Sequence, residues 1–184
     1  MTLSPEAIIE KDSESLNGIM RGECEYAFAE LVETVGKGDD YHKTTNFGYK
    51  NPDTGRMVLN PLKPAVENLE ELPHPATELF EYQQIIDDSN MALLHFSRGC
   101  PFPCTYCSAR ELMTKYGQKI RSRSVDSTIE EIKLTFDKYE IRPSTNLVIS
   151  DDLFSINKNW LADFLPRYEK EIGQPFIANI RANV

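Results

Sequence analysis

From residue 91 onward the chain alternates short apolar runs with longer segments whose apolar residues recur at helical spacing, and that alternation admits few folds. Met91-Ala-Leu-Leu-His-Phe-Ser97 and Asn146-Leu-Val-Ile-Ser150 predict buried strands, and residues 176–181 predict a third. Between the first two, residues 126–139 carry Ile129, Ile132 and Phe136 on one face, with a capping box expected from Ser127 to Glu130. Residues 157–172 carry Trp160, Leu161, Phe164 and Leu165, with Asn157 as cap and Gly173 as stop. Pro166 is expected to kink or divide that helix. Mostly apolar strands separated by helices pair in parallel, with each helix crossing back over the sheet. The fold class is therefore α/β. Three such units do not close a barrel, so a partial (β/α) barrel is expected and the chain reads as a fragment of a longer protein.

The first half is patterned differently. Ser4-Pro5-Glu6 predicts a helix start. Gly18-Ile19-Met20 predicts a short strand, and Phe28, Leu31, Val32 and Val35 place a helix over 24–35, stopped by Gly36 and Gly38. This strand–turn–helix reads as the last βα unit of an α/β domain. The runs at 45–49 and 56–59 flank Asn51-Pro52-Asp53-Thr54-Gly55, all turn formers, and predict a hairpin. Residues 60–90, with Pro61, Pro64, Pro73 and Pro75 among acids, read as a connector with one short helix near 76–82. The expected organisation is 1–59, a connector at 60–88, and a core at 89–184.

Charge divides the chain at the same place. Residues 1–90 hold 18 acids against 7 Lys/Arg, whereas residues 91–184 hold 11 against 13. The net charge of −9 argues against broad binding of nucleic acid or anionic membrane, since both need a basic surface. Arg110, Lys115, Lys119, Arg121 and Arg123 form a basic group, but no aromatic platform interleaves them. No run approaches the ~20 apolar residues that cross a bilayer. The N-terminus lacks the pattern of a signal peptide, so a cytoplasmic location without membrane attachment is expected.

Three of the four cysteines fall within eight residues, at 100, 104 and 107. Clustered thiols in a chain without a secretion signal read as metal ligands rather than as a disulfide framework. Spacings of four and three let one tight loop wrap an iron–sulfur cubane with three ligands, leaving one iron open. Gly99 eases the exit from the strand, and Pro101 and Pro103 stiffen the loop. A structural zinc site would want a fourth protein ligand, and Cys24, His42, His74 and His95 stand at none of the usual spacings. Cys24, alone in a helix-like stretch, reads as a small buried apolar residue, and His95, inside the first strand, as a core or barrel-lining histidine.

The segment Ser97-Arg-Gly-Cys100-Pro-Phe-Pro-Cys104-Thr-Tyr-Cys107-Ser108 resembles the C-x-x-x-C-x-aromatic-C signature of the radical S-adenosylmethionine (SAM) superfamily, placed after the first barrel strand. Further stretches are similar to the subgroup with an N-terminal cobalamin-binding domain, which includes methyltransferases and relatives of the anaerobic magnesium-protoporphyrin ester cyclase. They are Gly18-Ile-Met-Arg-Gly-Glu23 with Tyr26-Ala-Phe28, Asn60-Pro-Leu62 through Leu69-Glu-Glu-Leu-Pro73, Arg121-Ser-Arg-Ser124, Asp151-Asp-Leu-Phe154 and Asn179-Ile-Arg-Ala182. By this resemblance residues 1–59 are the end of a Rossmann-like cobalamin-binding domain, and 89–184 the first three βα units of the radical SAM barrel.

The resemblance also implies roles. Cys100, Cys104 and Cys107 would bind a [4Fe-4S] cluster, whose open iron takes the amino and carboxylate groups of SAM. Tyr106 would pack near the adenine. The superfamily often has Gly-Gly-Glu at the end of the second strand, against the methionine amine; here Ser150-Asp151-Asp152 stands in its place, so Asp151 or Asp152 would take that role. Arg181, expected to end the third strand on the side where parallel α/β barrels gather their active sites, is read either as a clamp on the SAM carboxylate or as a surface salt-bridge residue. Cofactors implied are the cluster, SAM and, for the subgroup, cobalamin, although the Asp-x-His-x-x-Gly motif that supplies the cobalt-ligating histidine in many cobalamin domains is absent. The implied activity is reductive cleavage of SAM to a 5′-deoxyadenosyl radical in a cobalamin-dependent methyltransferase or cyclase-like enzyme. Its partners would be a small-molecule substrate and an electron donor such as flavodoxin or ferredoxin. The competing readings are a radical SAM methylthiotransferase, which calls for more N-terminal cysteines than Cys24, and a truncated non-catalytic iron–sulfur or metal-binding module.

Overall fold

A computed structural model of the chain describes residues 4–11, 15–117 and 119–182. The chain divides at Val66/Glu67 into two compact units.

The first unit contains α1 (Pro5–Lys11), β1 (Ile19–Met20), α2 (Glu25–Lys37), β2 (Phe47–Lys50) and β3 (Met57–Leu59). The three strands form one antiparallel sheet in chain order, with Ile19 opposite Gly48 and Gly48 opposite Leu59. The expected hairpin is present. The expected βα unit differs: β1 pairs antiparallel with β2, and Phe28, Val32 and Val35 of α2 are exposed, leaving Ala27 as the buried residue of that helix. With two residues, β1 is too short to bury a helix face; Ile9, Ile19, Ala27 and Phe47 are buried, and a polar residue fastens the unit beside them. Fully buried Asn46, at a φ of 64°, donates from its amide to the carbonyls of Arg21 and Glu23 and accepts from the Lys63 N–H.

The second unit contains α3 (Tyr82–Ser89), β4 (Met91–Leu94), β5 (Ser97–Arg98), α4 (Ala109–Tyr116), β6 (Arg121–Ser122), α5 (Val125–Lys138), β7 (Asn146–Ile149), α6 (Lys158–Glu171) and β8 (Phe176–Ala178). The order β4-β7-β8 is parallel throughout, with Leu93 opposite Val148 and Val148 opposite Ile177. Ala92 and Leu94, and Leu147 and Ile149, turn to one face and are buried with Val125, Ile129, Ile132, Phe164 and Tyr168. Met91, Leu93 and Ile177 turn to the other face and are exposed. Phe164 lies at the centre of an aromatic group, stacked on Trp160 at 4.7 Å and set edge-on to Phe154 at 5.7 Å.

Local starts and stops depart from the sequence pattern for identifiable reasons. Helix α5 begins at Val125, two residues before the expected box, because Ser124 is the cap that accepts from the Ser127 N–H at 3.1 Å and Val125 is already buried. Pro166 sits inside an unbroken α6. Both Pro166 and Ala162, whose carbonyl loses its donor, are exposed, so the missing bond falls on the solvent side of the helix. The short helix expected near 76–82 is a single 3₁₀ turn at Thr77–Leu79, and α3 follows it, held by buried Ile86.

Residues 67–89 belong to the second unit and are tied along it. The Arg123 guanidinium donates to the carbonyls of Leu72 and Pro73, the Tyr139 hydroxyl to Thr77, and the Glu140 N–H to Gln83. At the free side of β4, the Tyr82 hydroxyl donates to the Leu93 carbonyl at 3.0 Å and accepts from the Leu93 N–H at 2.9 Å. Among the described residues no helix is long and apolar enough to cross a membrane.

Candidate functional site

The cysteine loop leaves the C-terminal end of β4. That is the side on which parallel α/β barrels gather their active sites. Its base is a two-stranded ribbon, with Ser97 opposite Ser122 and Arg98 opposite Arg121, closed by the Arg123 N–H donating to the Phe96 carbonyl at 2.9 Å. Gly99 follows at a φ of 98°, and a Cβ there would stand 3.0 Å from the Lys119 carbonyl oxygen. Glycine is therefore required both for the turn and for the close return of the chain. Cys100 and Cys104 are partly buried and Cys107 is exposed, and none of the three is in a disulfide. The Cys107 N–H donates to the Cys104 carbonyl at 3.1 Å, forming the turn that leads into α4.

Three free thiols in one loop match, in kind and number, the ligands of a cluster that keeps one iron open. Among the described residues no three Cys, His, Asp or Glu side chains converge closely enough to hold a metal ion. Cys24 is differently placed. Its thiol donates to the carbonyls of Arg21 and Gly22, and burial, with the adjacent Glu25 charge, pushes its pKa up.

The other expected site residues fall into two groups. Asp151, 2% exposed, follows β7 and places one oxygen 2.7 Å from the Phe96 N–H and the other 2.6 Å from the Ser97 hydroxyl. Arg181, beyond the end of β8, lies over the Phe102 ring with its guanidinium carbon 3.9 Å from the ring centroid. Tyr106 and Asp152 are exposed. Asp151 and Arg181 thus touch the cysteine loop, whereas Tyr106 and Asp152 face outward. His95 Nδ1 lies 3.7 Å from the Asp151 carboxylate and 3.4 Å from the Ser150 hydroxyl.

Two clefts flank this region. One, of about 690 Å³, is lined by Ser124 and Asn157, the caps of α5 and α6, with Arg123, Lys158 and Trp160. Glu70 already accepts from the Ser124 N–H there, and no cysteine lines it. The other, of about 630 Å³, contains His74, His95, Glu131, Tyr82 and Tyr139. Burial pushes the Glu131 carboxyl above its ordinary range, against the opposing pull of His74 at 3.0 Å and of Arg123.

Pattern reading missed Ser97, Phe102 and Arg123. The signal for Ser97 lay in its alternation with Phe96 at a strand end. Nothing in the sequence indicated that the Phe102 ring meets Arg181.

No protein-family model matches the chain. It is 29% identical over 172 residues to an uncharacterized methyltransferase of Pyrococcus horikoshii, an alignment that covers 93% of this chain and 36% of that protein. It is 28% identical over 137 residues to the anaerobic magnesium-protoporphyrin IX monomethyl ester cyclase of Rubrivivax gelatinosus, covering 71% of this chain and 24% of the cyclase. Among solved structures, the cobalamin-dependent SAM radical enzyme OxsB superposes over 99% of this chain and 25% of its own, with a TM-score of 0.67 at 22% identity. The radical SAM methyltransferase TsrM of Kitasatospora setae, with tryptophan and a SAM analogue bound, also gives a TM-score of 0.67, at 14% identity, over 93% of this chain and 32% of its own.

Proposed function

We propose that this chain, a homologue of these methyltransferases and of this cyclase with the fold of the cobalamin-dependent radical SAM enzymes, holds an iron–sulfur cluster and presents it to SAM. One observation carries the proposal: three thiols free of disulfides hang in a single loop from the C-terminal end of the first parallel strand. Cys100, Cys104 and Cys107 would bind three irons of a [4Fe-4S] cluster. Bound there, the cluster would supply one-electron reduction of SAM, with the electron coming from a donor such as flavodoxin or ferredoxin. The chain's own work is to bind and to orient. The β5/β6 ribbon fixes the start of the loop, and Pro101 and Pro103 restrict its backbone. Exposed Tyr106 would offer its ring to the adenine, and exposed Asp152 a carboxylate to the methionine ammonium.

Both solved structures belong to enzymes described as cobalamin-dependent or as methyltransferases, and the cyclase is a homologue. The whole enzyme would accordingly be a cobalamin-using methyltransferase or cyclase-like enzyme acting on a small molecule.

The test is anaerobic reconstitution with iron and sulfide, iron counting, and EPR after dithionite reduction. The expected result is a [4Fe-4S] signal that shifts on adding SAM and is lost in a Cys100→Ala/Cys104→Ala/Cys107→Ala variant. Stoichiometric zinc in folded protein that takes up no iron would overturn the proposal.

A further inference from the structure

We infer that Asp151 is a positioning residue for the cysteine loop, with Arg181 as a second brace, and that neither acts first as a ligand of SAM. The inference rests on the cluster-holding reading above and deepens it. Both Asp151 oxygens are committed, one to the Phe96 N–H at 2.7 Å and one to the Ser97 hydroxyl at 2.6 Å. These are charge-assisted bonds in a site 2% exposed, where a missing partner is costly. Phe96 and Ser97 lie one residue, Arg98, ahead of the turn through Gly99 into Cys100. The tip of β7 therefore holds the start of the loop.

The tip of β8 holds its middle. Phe102 stands between Cys100 and Cys104, and Arg181 covers its ring at 3.9 Å, a cation–π contact. Asn179 links the two braces, because its amide donates to the Asp151 carbonyl at 3.1 Å and its own carbonyl accepts from the Phe154 N–H at 2.9 Å. The ribbon secures the base. The residues after β7 and β8 thus meet the start and the middle of the segment that follows β4.

This arrangement makes chemical sense. Bringing three thiolates onto one cluster costs the ordering of the loop, and a loop already fixed at its start, middle and base loses less freedom on loading. Groups behind the ligands of other metal sites act in the same way, and their loss typically weakens metal retention by ~10–100-fold.

The experiment compares the whole chain with Asp151→Ala, Asp151→Asn and Ser97→Ala. Amide exchange over residues 96–108 is measured before loading, and iron retention against a chelator afterwards. Asp151→Ala should speed exchange across 96–100 by ~100-fold or more, the loss expected for two charge-assisted bonds, while exchange in β7 and α6 stays unchanged. It should also weaken iron retention ~10-fold or more. Asp151→Asn should rescue both, because its carbonyl oxygen can accept from Phe96 while its amide donates to the Ser97 hydroxyl. Ser97→Ala should show a smaller loosening confined to 97–100, and it carries the test if Asp151→Ala does not fold.

Wild-type exchange and iron retention in Asp151→Ala, or in Ser97→Ala where that variant stands in, would overturn the inference. So would an Asp151→Asn protein that loads normally but no longer responds to SAM by EPR, since the carboxylate charge would then serve SAM. If the wild-type chain itself takes up no cluster, the proposed function fails, while the exchange comparison still decides whether Asp151 braces the loop.

Discussion

Replacing Phe164 with alanine should remove a large part of the second unit's stability. The side chain is fully buried and meets rings on four sides, with centroids at 4.7 Å (Trp160), 5.3 Å (Tyr168), 5.7 Å (Phe154) and 6.3 Å (Phe176). Truncating a buried phenylalanine costs ~3–5 kcal/mol, and the cost is greatest where neighbours cannot collapse into the void. Rigid rings close such a void poorly, and each aromatic pair lost adds ~0.5–1.5 kcal/mol beyond area. A loss of about 4 kcal/mol is expected, against ~5–15 kcal/mol for a whole domain, with a fall in Tm of ~15–30 °C. Trp160 is the only tryptophan of the chain and stacks on Phe164, so its fluorescence reports on this spot during urea unfolding. Far-UV circular dichroism follows the helices in parallel. A change below ~2 kcal/mol with unaltered tryptophan emission would refute the reasoning, since Phe164 would then not be the centre of the core.

Glu131 should make stability depend on pH in a defined sense. Burial raises its folded pKa above the unfolded value, so its contribution is fully present below the ordinary range near ~4.3 and is lost as pH rises through the raised value. Glu131→Gln should flatten the profile above that range, and parallel urea midpoints for the two proteins from pH 4 to 8 would contradict this. Cys24→Ala should leave iron uptake unchanged, and in the unloaded wild-type chain Cys24 should alkylate more slowly than the loop thiols; iron loss in the variant would make it a ligand. Asn157→Ala should cost ~1 kcal/mol, because the side chain caps α6 by accepting from the Trp160 N–H at 3.1 Å, and an unchanged thermal midpoint would count against the cap.

The parallel sheet was legible because its signals are local and repeated. Leu147 and Ile149 alternate inward, and Ile129 and Ile132 recur at helical spacing, so pattern alone orders β4, α5 and β7, whereas α4 went unpredicted. The cysteines were legible because their chemistry is dense in sequence. What stayed hidden depends on pairs remote in the chain. Asp151 reads as one of two acids after a strand, and only folding shows that it is buried against Ser97, 54 residues away, while Asp152 is exposed. The polar run around α3 conceals a helix because a single buried Ile86, not an apolar stripe, anchors it. In the first unit the stripe Phe28–Val32–Val35 promised a buried face, and the three-stranded antiparallel sheet leaves it exposed.

The Tyr82 hydroxyl gives the parallel sheet a direction of growth. A strand arriving beside β4 would have to displace one phenol from both the N–H and the carbonyl of Leu93, and would recover in exchange only the bonds it broke. No described side chain does the same at Phe176–Ala178, where the backbone on the far side of β8 has no strand partner among the described residues. Any further strand, whether from the same polypeptide or another, would therefore add at the β8 side. A single phenol thus caps one margin of the sheet, and among the described residues the margin at β8 is left open.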